Sequence, residues 1–163
     1  MKSATAAEIK KELKQRSSVE LVDVCLRLSA LKKENKELLT YLLFDANNED
    51  AFIESIKIEV DQMFCNTSTS NYYTARKNVR KILREVKTYI RFSKKKETEV
   101  ELLIYFCGLM KEMRPSIRNC PVLDNLFKRQ VLAVRKALQS LHEDLRFDYE
   151  QELNRISIHG SNT

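Results

Sequence analysis

The segment Tyr72-Tyr-Thr-Ala-Arg-Lys-Asn-Val-Arg-Lys-Ile-Leu-Arg-Glu-Val-Lys-Thr-Tyr-Ile-Arg-Phe92 decides the fold class. At the helical repeat of about 100° per residue, Tyr72, Ala75, Val79, Ile82, Leu83, Val86 and Ile90 fall on one arc. Arg76, Arg80, Arg84, Lys87 and Arg91 fall on another, roughly 80° wide. No glycine or proline interrupts the run. The pattern predicts a helix from Tyr72 to Phe92 that buries one side and presents arginine and lysine on another.

The same reading extends in both directions. Only two glycines and two prolines occur in 163 residues, and a sheet protein needs such residues at its frequent turns. An all-α fold of six to seven helices follows. Thr5-x-x-Glu8 and Ser17-x-x-Glu20 have capping-box spacing, opening helices near Ala6–Arg16 and Ser18–Leu28. A lysine-rich connection, Ser29–Asn35, leads to a third helix near Lys36–Asp45. Its run Leu38–Phe44 is apolar nearly all round and is expected to be buried. Asn47 or Asn48 caps a fourth helix to about Phe64, with Phe52, Ile53, Ile56, Val60 and Met63 inward. Cys65–Asn71 reads as a loop of small polar side chains.

Beyond the decisive segment, Ser93–Lys96 is a connection and Glu97–Met113 a sixth helix. Pro115 and Pro121 bracket a break, and Pro121 suits a first helical position with Asn119 or Cys120 as cap. From Val122 to Ile156 apolar residues recur at steps of three and four: Phe127, Val131, Val134, Leu138, Leu141, Leu145, Tyr149, Leu153 and Ile156. This predicts one long C-terminal helix over about 121–156, with a core-facing stripe or a coiled-coil seam. Ser157–Thr163 reads as a frayed tail.

Displacing the chain against itself by 64 residues aligns Leu26–Tyr41 with Ile90–Tyr105. Identities fall at Arg27/Arg91, Ser29/Ser93, Lys32/Lys96, Glu37/Glu101, Leu38/Leu102, Leu39/Leu103 and Tyr41/Tyr105. The expectation is a duplicated helix–turn–helix unit, one copy over about 17–46 and one over about 72–113, stacked within a single domain spanning 1–163. In general shape this resembles HEAT or armadillo-type helical hairpins, although no diagnostic motif of either family is present. Parallel stacking would bring Arg27, Lys32 and Lys33 onto one rim with Arg91, Lys94, Lys95 and Lys96.

Chemistry-bearing patterns are few. His142 and His159 have no Cys or Asp at ligand spacing, so no metal site is expected. No phosphate-binding glycine loop, dinucleotide fingerprint or H-E-x-x-H occurs. Glu97, Glu99 and Glu101 cluster near a helix start, where acids complement the dipole. The four cysteines, Cys25, Cys65, Cys107 and Cys120, form no C-x-x-C pair and read as reduced thiols. No catalytic residue and no cofactor is assigned, and an enzyme is not expected. Leu102–Met110 is the longest uncharged run in a periodic segment, well short of the roughly 20 residues of a membrane span. Met1–Thr5 lacks the apolar stretch of a secretory signal, and the cytoplasm is the expected compartment.

Charge distribution carries the functional expectation. The net charge is +6, yet Tyr72–Lys96 holds ten basic residues against one acid, Glu85, so the remainder of the chain is net acidic. Two classes of partner follow. The first is a protein, or a second copy meeting the C-terminal helix in a homodimer, bound by a non-catalytic interaction scaffold. The second is a nucleic-acid backbone tracked by Arg76, Arg80, Arg84, Lys87, Arg91, Lys94, Lys95 and Lys96, with Tyr73 placed to stack on a base. The acidic helices near 48–64 and 122–156 are the candidates to neutralise that face from within.

Overall fold

The computed structural model describes residues 2–67 and 71–158 and is helical throughout, with no strand among those residues. Eight α-helices occur there: α1 (Ala6–Leu13), α2 (Ser18–Leu31), α3 (Lys33–Thr40), α4 (Glu49–Cys65), α5 (Tyr72–Ser93), α6 (Lys96–Glu112), α7 (Pro121–Leu138) and α8 (Glu143–Ile158). A π-turn, Tyr41–Asp45, follows α3, and a short 3-10 turn, Ile117–Asn119, precedes α7. The chain divides into two compact units, Met1–Asp45 and Ala46–Thr163.

In the first unit both capping boxes form. Thr5 and Ser17 accept from the Glu8 and Glu20 amides, while each glutamate accepts from its cap residue's N–H. The Glu8 and Glu20 carboxyls are held below their ordinary pKa by those backbone hydrogen bonds. α2 and α3 meet at one extended residue, Lys32 (φ −147°, ψ 144°), instead of the longer connection predicted over Ser29–Asn35. Asn35 Nδ2 donates to the Leu28 carbonyl at 2.8 Å and ties that turn.

Burial in this unit differs from the expectation. The run Leu38–Phe44 is not enclosed: Tyr41 is buried, Leu38 and Leu39 are half-buried, and Leu42, Leu43 and Phe44 are exposed. The reason is size. Three short helices supply a single layer, which by itself gives an apolar helix only one side to pack against.

The second unit has the core. α6 lies at its centre, packed by α4, α5, α7 and α8. Val100, Leu102, Leu103, Ile104, Phe106, Cys107 and Met110 are all essentially inaccessible, so α6 is the helix whose all-round apolar character is matched by burial. Asn48 and Asn71 cap α4 and α5 through their side-chain oxygens, which accept from Ala51 and Thr74 amides. Phe52, Ile53, Ile56 and Val60 of α4 are buried as predicted, and Met63 of the same set is half-buried. Phe52 meets Tyr89 edge-on, with ring centroids 6.4 Å apart. α5 buries Ala75, Val79, Ile82, Leu83 and Val86 of the arc read from its periodicity, leaves Tyr72 and Ile90 of that arc half-buried, and buries Thr88, Tyr89 and Phe92 besides.

The single C-terminal helix predicted over 121–156 is two helices. At the end of α7 the backbone switches to tighter bonds: Ser140 N donates to Ala137 O and Leu141 N to Leu138 O, each at 3.1 Å. Ser140 Oγ also donates to Ala137 O at 2.7 Å, the back-bonding that disfavours continued helix. Glu143 and Asp144 then occupy the first turn of α8, where acids suit the helix dipole. α8 folds back along α6, with Tyr149 Oη donating to Glu101 Oε2 and Lys111 Nζ to Arg155 O. Helical geometry continues to Ile158, past the predicted end at Ile156, while 159–163 lie outside the described residues.

Both aligned segments form helix–turn–helix hairpins, but in different units and in different settings. Leu102 and Leu103 are 1% and 2% exposed, whereas Leu38 and Leu39 are only half-buried. The turns differ as well: Lys32 is extended, while Lys94 adopts the left-handed region (φ 58°) at the end of α5.

Candidate interaction surfaces

The basic face of α5 begins at Asn71, whose cap fixes the first turn, and ends at Lys94, whose N–H donates to Ile90 O at 2.9 Å. Arg80, Arg84, Lys87, Arg91, Lys94, Lys95 and Lys96 are exposed and Arg76 is half-buried. Their commitments differ. Arg76 Nε donates to the Tyr72 carbonyl, and Arg91 donates to Thr88 Oγ1. Lys95 pairs with Glu49 at 2.9 Å and Lys96 with Glu99 at 2.5 Å. Arg80, Arg84, Lys87 and Lys94 form no ion pair among the described residues. Lys77 and Lys81 are also exposed and widen the face. Tyr73, 73% exposed, stands among these cations.

Of the acids that were candidates to neutralise this face, Glu49 reaches it at Lys95, and the others that form bonds are held away from Arg80, Arg84 and Lys87. Glu49 accepts from Ser93 and Thr98 hydroxyls and from Lys95. Glu54 and Glu101 share Lys57, each at 2.7 Å. Glu59 accepts from Tyr89 Oη, and Asp61 from Tyr105 Oη. In α8, Glu150 pairs with Arg146 on its own helix. Glu54, Glu59 and Asp61 of α4 are thus engaged by Lys57, Tyr89 and Tyr105, and Arg80, Arg84 and Lys87 stay exposed.

These polar ties perturb titrations in one direction. Burial, then the hydrogen bond to Asp61, pushes the Tyr105 phenol up to about 12. Burial and Glu101 push Tyr149 upward too. Burial works to lower Lys57, and the hydrogen bonds and charges of Glu101 and Glu54 together outweigh it and raise the group.

The second surface is apolar and belongs to the first unit. Ile9, Leu13, Val19, Val22, Val24, Leu26, Leu28, Leu31, Leu42, Leu43 and Phe44 are each more than one-third exposed. Val19, Val22 and Leu26 form one stripe along α2, with Asp23 and Arg27 at its edge. No periodicity argument could show this, because spacing reveals an apolar face but not whether anything covers it. By contrast, the seam expected to pair two C-terminal helices is largely consumed within the second unit. Val134, Leu138 and Leu153 are 0–2% exposed, although Leu145 and Phe147 remain outside.

The chemistry-bearing side chains do not converge. His142 Nδ1 lies 3.4 Å from Asp144 Oδ2, with both side chains more than three-quarters exposed; His159 lies outside the described residues. Cys107 is fully enclosed, and burial pushes its thiol up to about 12, which leaves it protonated and unreactive. Cys25 and Cys65 are exposed, Cys120 is buried, and none is in a disulfide. Among the described residues no group of three or more His, Cys, Asp or Glu side chains is placed to hold a metal ion. No helix there is long and apolar enough to cross a membrane. Comparison with known proteins finds no matching family model, no similar curated protein and no similar solved structure.

Proposed function

We propose that the chain is a non-catalytic interaction module that docks a protein partner through the apolar surface of its first unit. The observation that carries this reading is the exposure of eleven large apolar side chains within residues 2–45. Of these, Val19, Val22 and Leu26 share one face of α2, and exposed apolar side chains gathered on one face are the kind of patch that marks an interaction site. A second copy is the partner that the charges of α2 fit best. Glu20 and Asp23 lie in its first half and Arg27 in its second, with Lys32 just beyond. Two α2 helices set antiparallel about their middles bring Val22 of one against Leu26 of the other and opposite charges alongside. Sedimentation equilibrium of the full chain across a concentration series tests this. Dimer is expected, with Val22→Glu plus Leu26→Glu returning it to monomer at unchanged helicity. A chain that stays monomeric at every concentration refutes self-docking.

A second reading has its own support in the open cations of α5. Arg80, Arg84 and Lys87 span about two turns and lie on the arc that would follow a phosphate backbone. Fluorescence anisotropy with short single-stranded and duplex oligonucleotides, run over a salt series, tests it. Binding should weaken with salt at a slope of about 0.7–0.9 per phosphate engaged. Changing Arg80, Arg84 and Lys87 to Gln should flatten that slope by roughly 2–3. No binding at low salt eliminates this reading.

A further inference from the structure

A cleft of about 910 Å³ opens in the second unit where the end of α6, the Arg114–Arg118 connection, α7 and the last turn of α8 meet. Its size falls in the range of small-molecule sites, roughly 300–1,000 Å³. The apolar part of its wall comes from Ile117, Phe127, Val131 and Ile156. Ile117 and Val131 are almost wholly buried behind it, and Leu132 stands 64% exposed at its edge.

The polar part of the wall is strongly one-signed. Among the described residues Lys111, Arg114, Arg118, Lys128 and Arg135 line it, against a single carboxylate, Asp124. That carboxylate is already held by Lys128 at 2.6 Å. Lys111 donates to a carbonyl, that of Arg155. Arg114 and Arg135 make no ion pair among the described residues. Ser157, also in the wall, has a buried Oγ with no hydrogen-bond partner among the described residues. A buried hydroxyl left unmatched is costly, and here it borders a cavity with uncompensated positive charge.

We propose that this cleft binds a small amphiphile with one anionic head, its apolar chain on Ile117, Phe127 and Val131 and its head among the rim cations. The two features divide the recognition. Apolar wall alone would take a neutral molecule, and cations alone would take inorganic anions. Together they select a ligand carrying both parts. This inference is independent of the docking surface on α2 and of the α5 face, since it uses no residue of either.

Isothermal titration of the full chain with monomeric decanoate, decyl phosphate, decanol, acetate and inorganic phosphate tests the assignment. Decanoate or decyl phosphate should bind one per chain, and the tighter of the two names the head group. Decanol should bind at least about tenfold more weakly, as expected when charged contacts are forfeited. Arg114→Gln with Arg135→Gln should weaken the anionic ligand about tenfold and leave decanol unchanged. Phe127→Ser should weaken both alike. Methyl shifts of Ile117 and Val131 in the unaltered chain, moving with decanoate, locate the ligand without relying on any variant's folding. Absence of saturable binding, equal affinity in the arginine variant, or acetate and phosphate binding as tightly as their decyl forms would overturn the proposal. Binding to anionic lipid vesicles but to no free amphiphile would overturn it as well.

Discussion

Removing the Glu49 carboxylate should destabilise the second unit far more than an average acidic residue would. Glu49 opens α4 and accepts from Thr98 Oγ1 at 2.6 Å, from Ser93 Oγ and from Lys95 Nζ at 2.9 Å. Its side chain is only 14% exposed and Thr98 is fully buried. In Glu49→Ala, Ser93 Oγ keeps Thr98 Oγ1 as an acceptor at 3.1 Å, but the Thr98 hydroxyl loses its own. An orphaned buried donor costs about 1–3 kcal/mol. The lost Lys95 pair adds up to about 1 kcal/mol and the lost acid at the helix start about 0.3–1 kcal/mol. A loss of about 3 kcal/mol results, or a fall in Tm on the order of 6–12 °C for a chain of this size. Urea unfolding followed by circular dichroism measures it, with Glu150→Ala, an exposed pair, as a control expected to lose under about 0.5 kcal/mol. A double-mutant cycle with Thr98→Val should give a coupling of about 1–2 kcal/mol. If Glu49→Ala loses less than about 1 kcal/mol, or the coupling is near zero, the reasoning fails.

Three further outcomes are expected. Lys94 holds a left-handed conformation at φ 58°, so Lys94→Gly should stabilise the chain by about 0.5–1 kcal/mol in the same assay. Because the folded Tyr105 phenol titrates near 12 and the unfolded one near 10, its contribution is complete below pH 10. It is lost as pH rises from there towards 12, since only the unfolded state releases the proton. Tyr105→Phe should therefore flatten the alkaline fall in stability, read from urea midpoints across that window. Of the four thiols, Cys25 and Cys65 should react promptly with an aromatic disulfide reagent, and Cys107 and Cys120 only on unfolding.

Periodicity made most of α5 legible, because Ala75, Val79, Ile82, Leu83 and Val86 of its apolar arc are buried and Arg80, Arg84, Lys87 and Arg91 of its basic arc are exposed, but it did not mark Thr88, Tyr89 and Phe92 as buried. The same logic misled at the C-terminus. Val134, Leu138, Leu141 and Leu145 keep steps of three and four across a break that carries neither glycine nor proline, and only Gln139-Ser140 marks it. The π-turn residues Leu42, Leu43 and Phe44 are as apolar as those of α6, so composition could not show which of the two runs is enclosed. The Glu49 network and the amphiphile cleft were beyond reach for another reason. Glu49 and Thr98 stand 49 positions apart, and the walls of the cleft come from three separated stretches of chain.

From Thr98 to Lys111 no residue of α6 is exposed, so neighbours constrain every position of that stretch. A helix at the rim accepts change on its outer side, where a substitution usually shifts stability by less than about 0.5 kcal/mol. α6 has no such side. In a saturation library selected for folding, the chain should therefore show one uninterrupted intolerant band there, lacking the three-to-four periodicity of permitted positions that α5 will display. Sequence divergence among any descendants of this chain would be confined by that band, which would make α6 the part by which distant relatives can still be recognised.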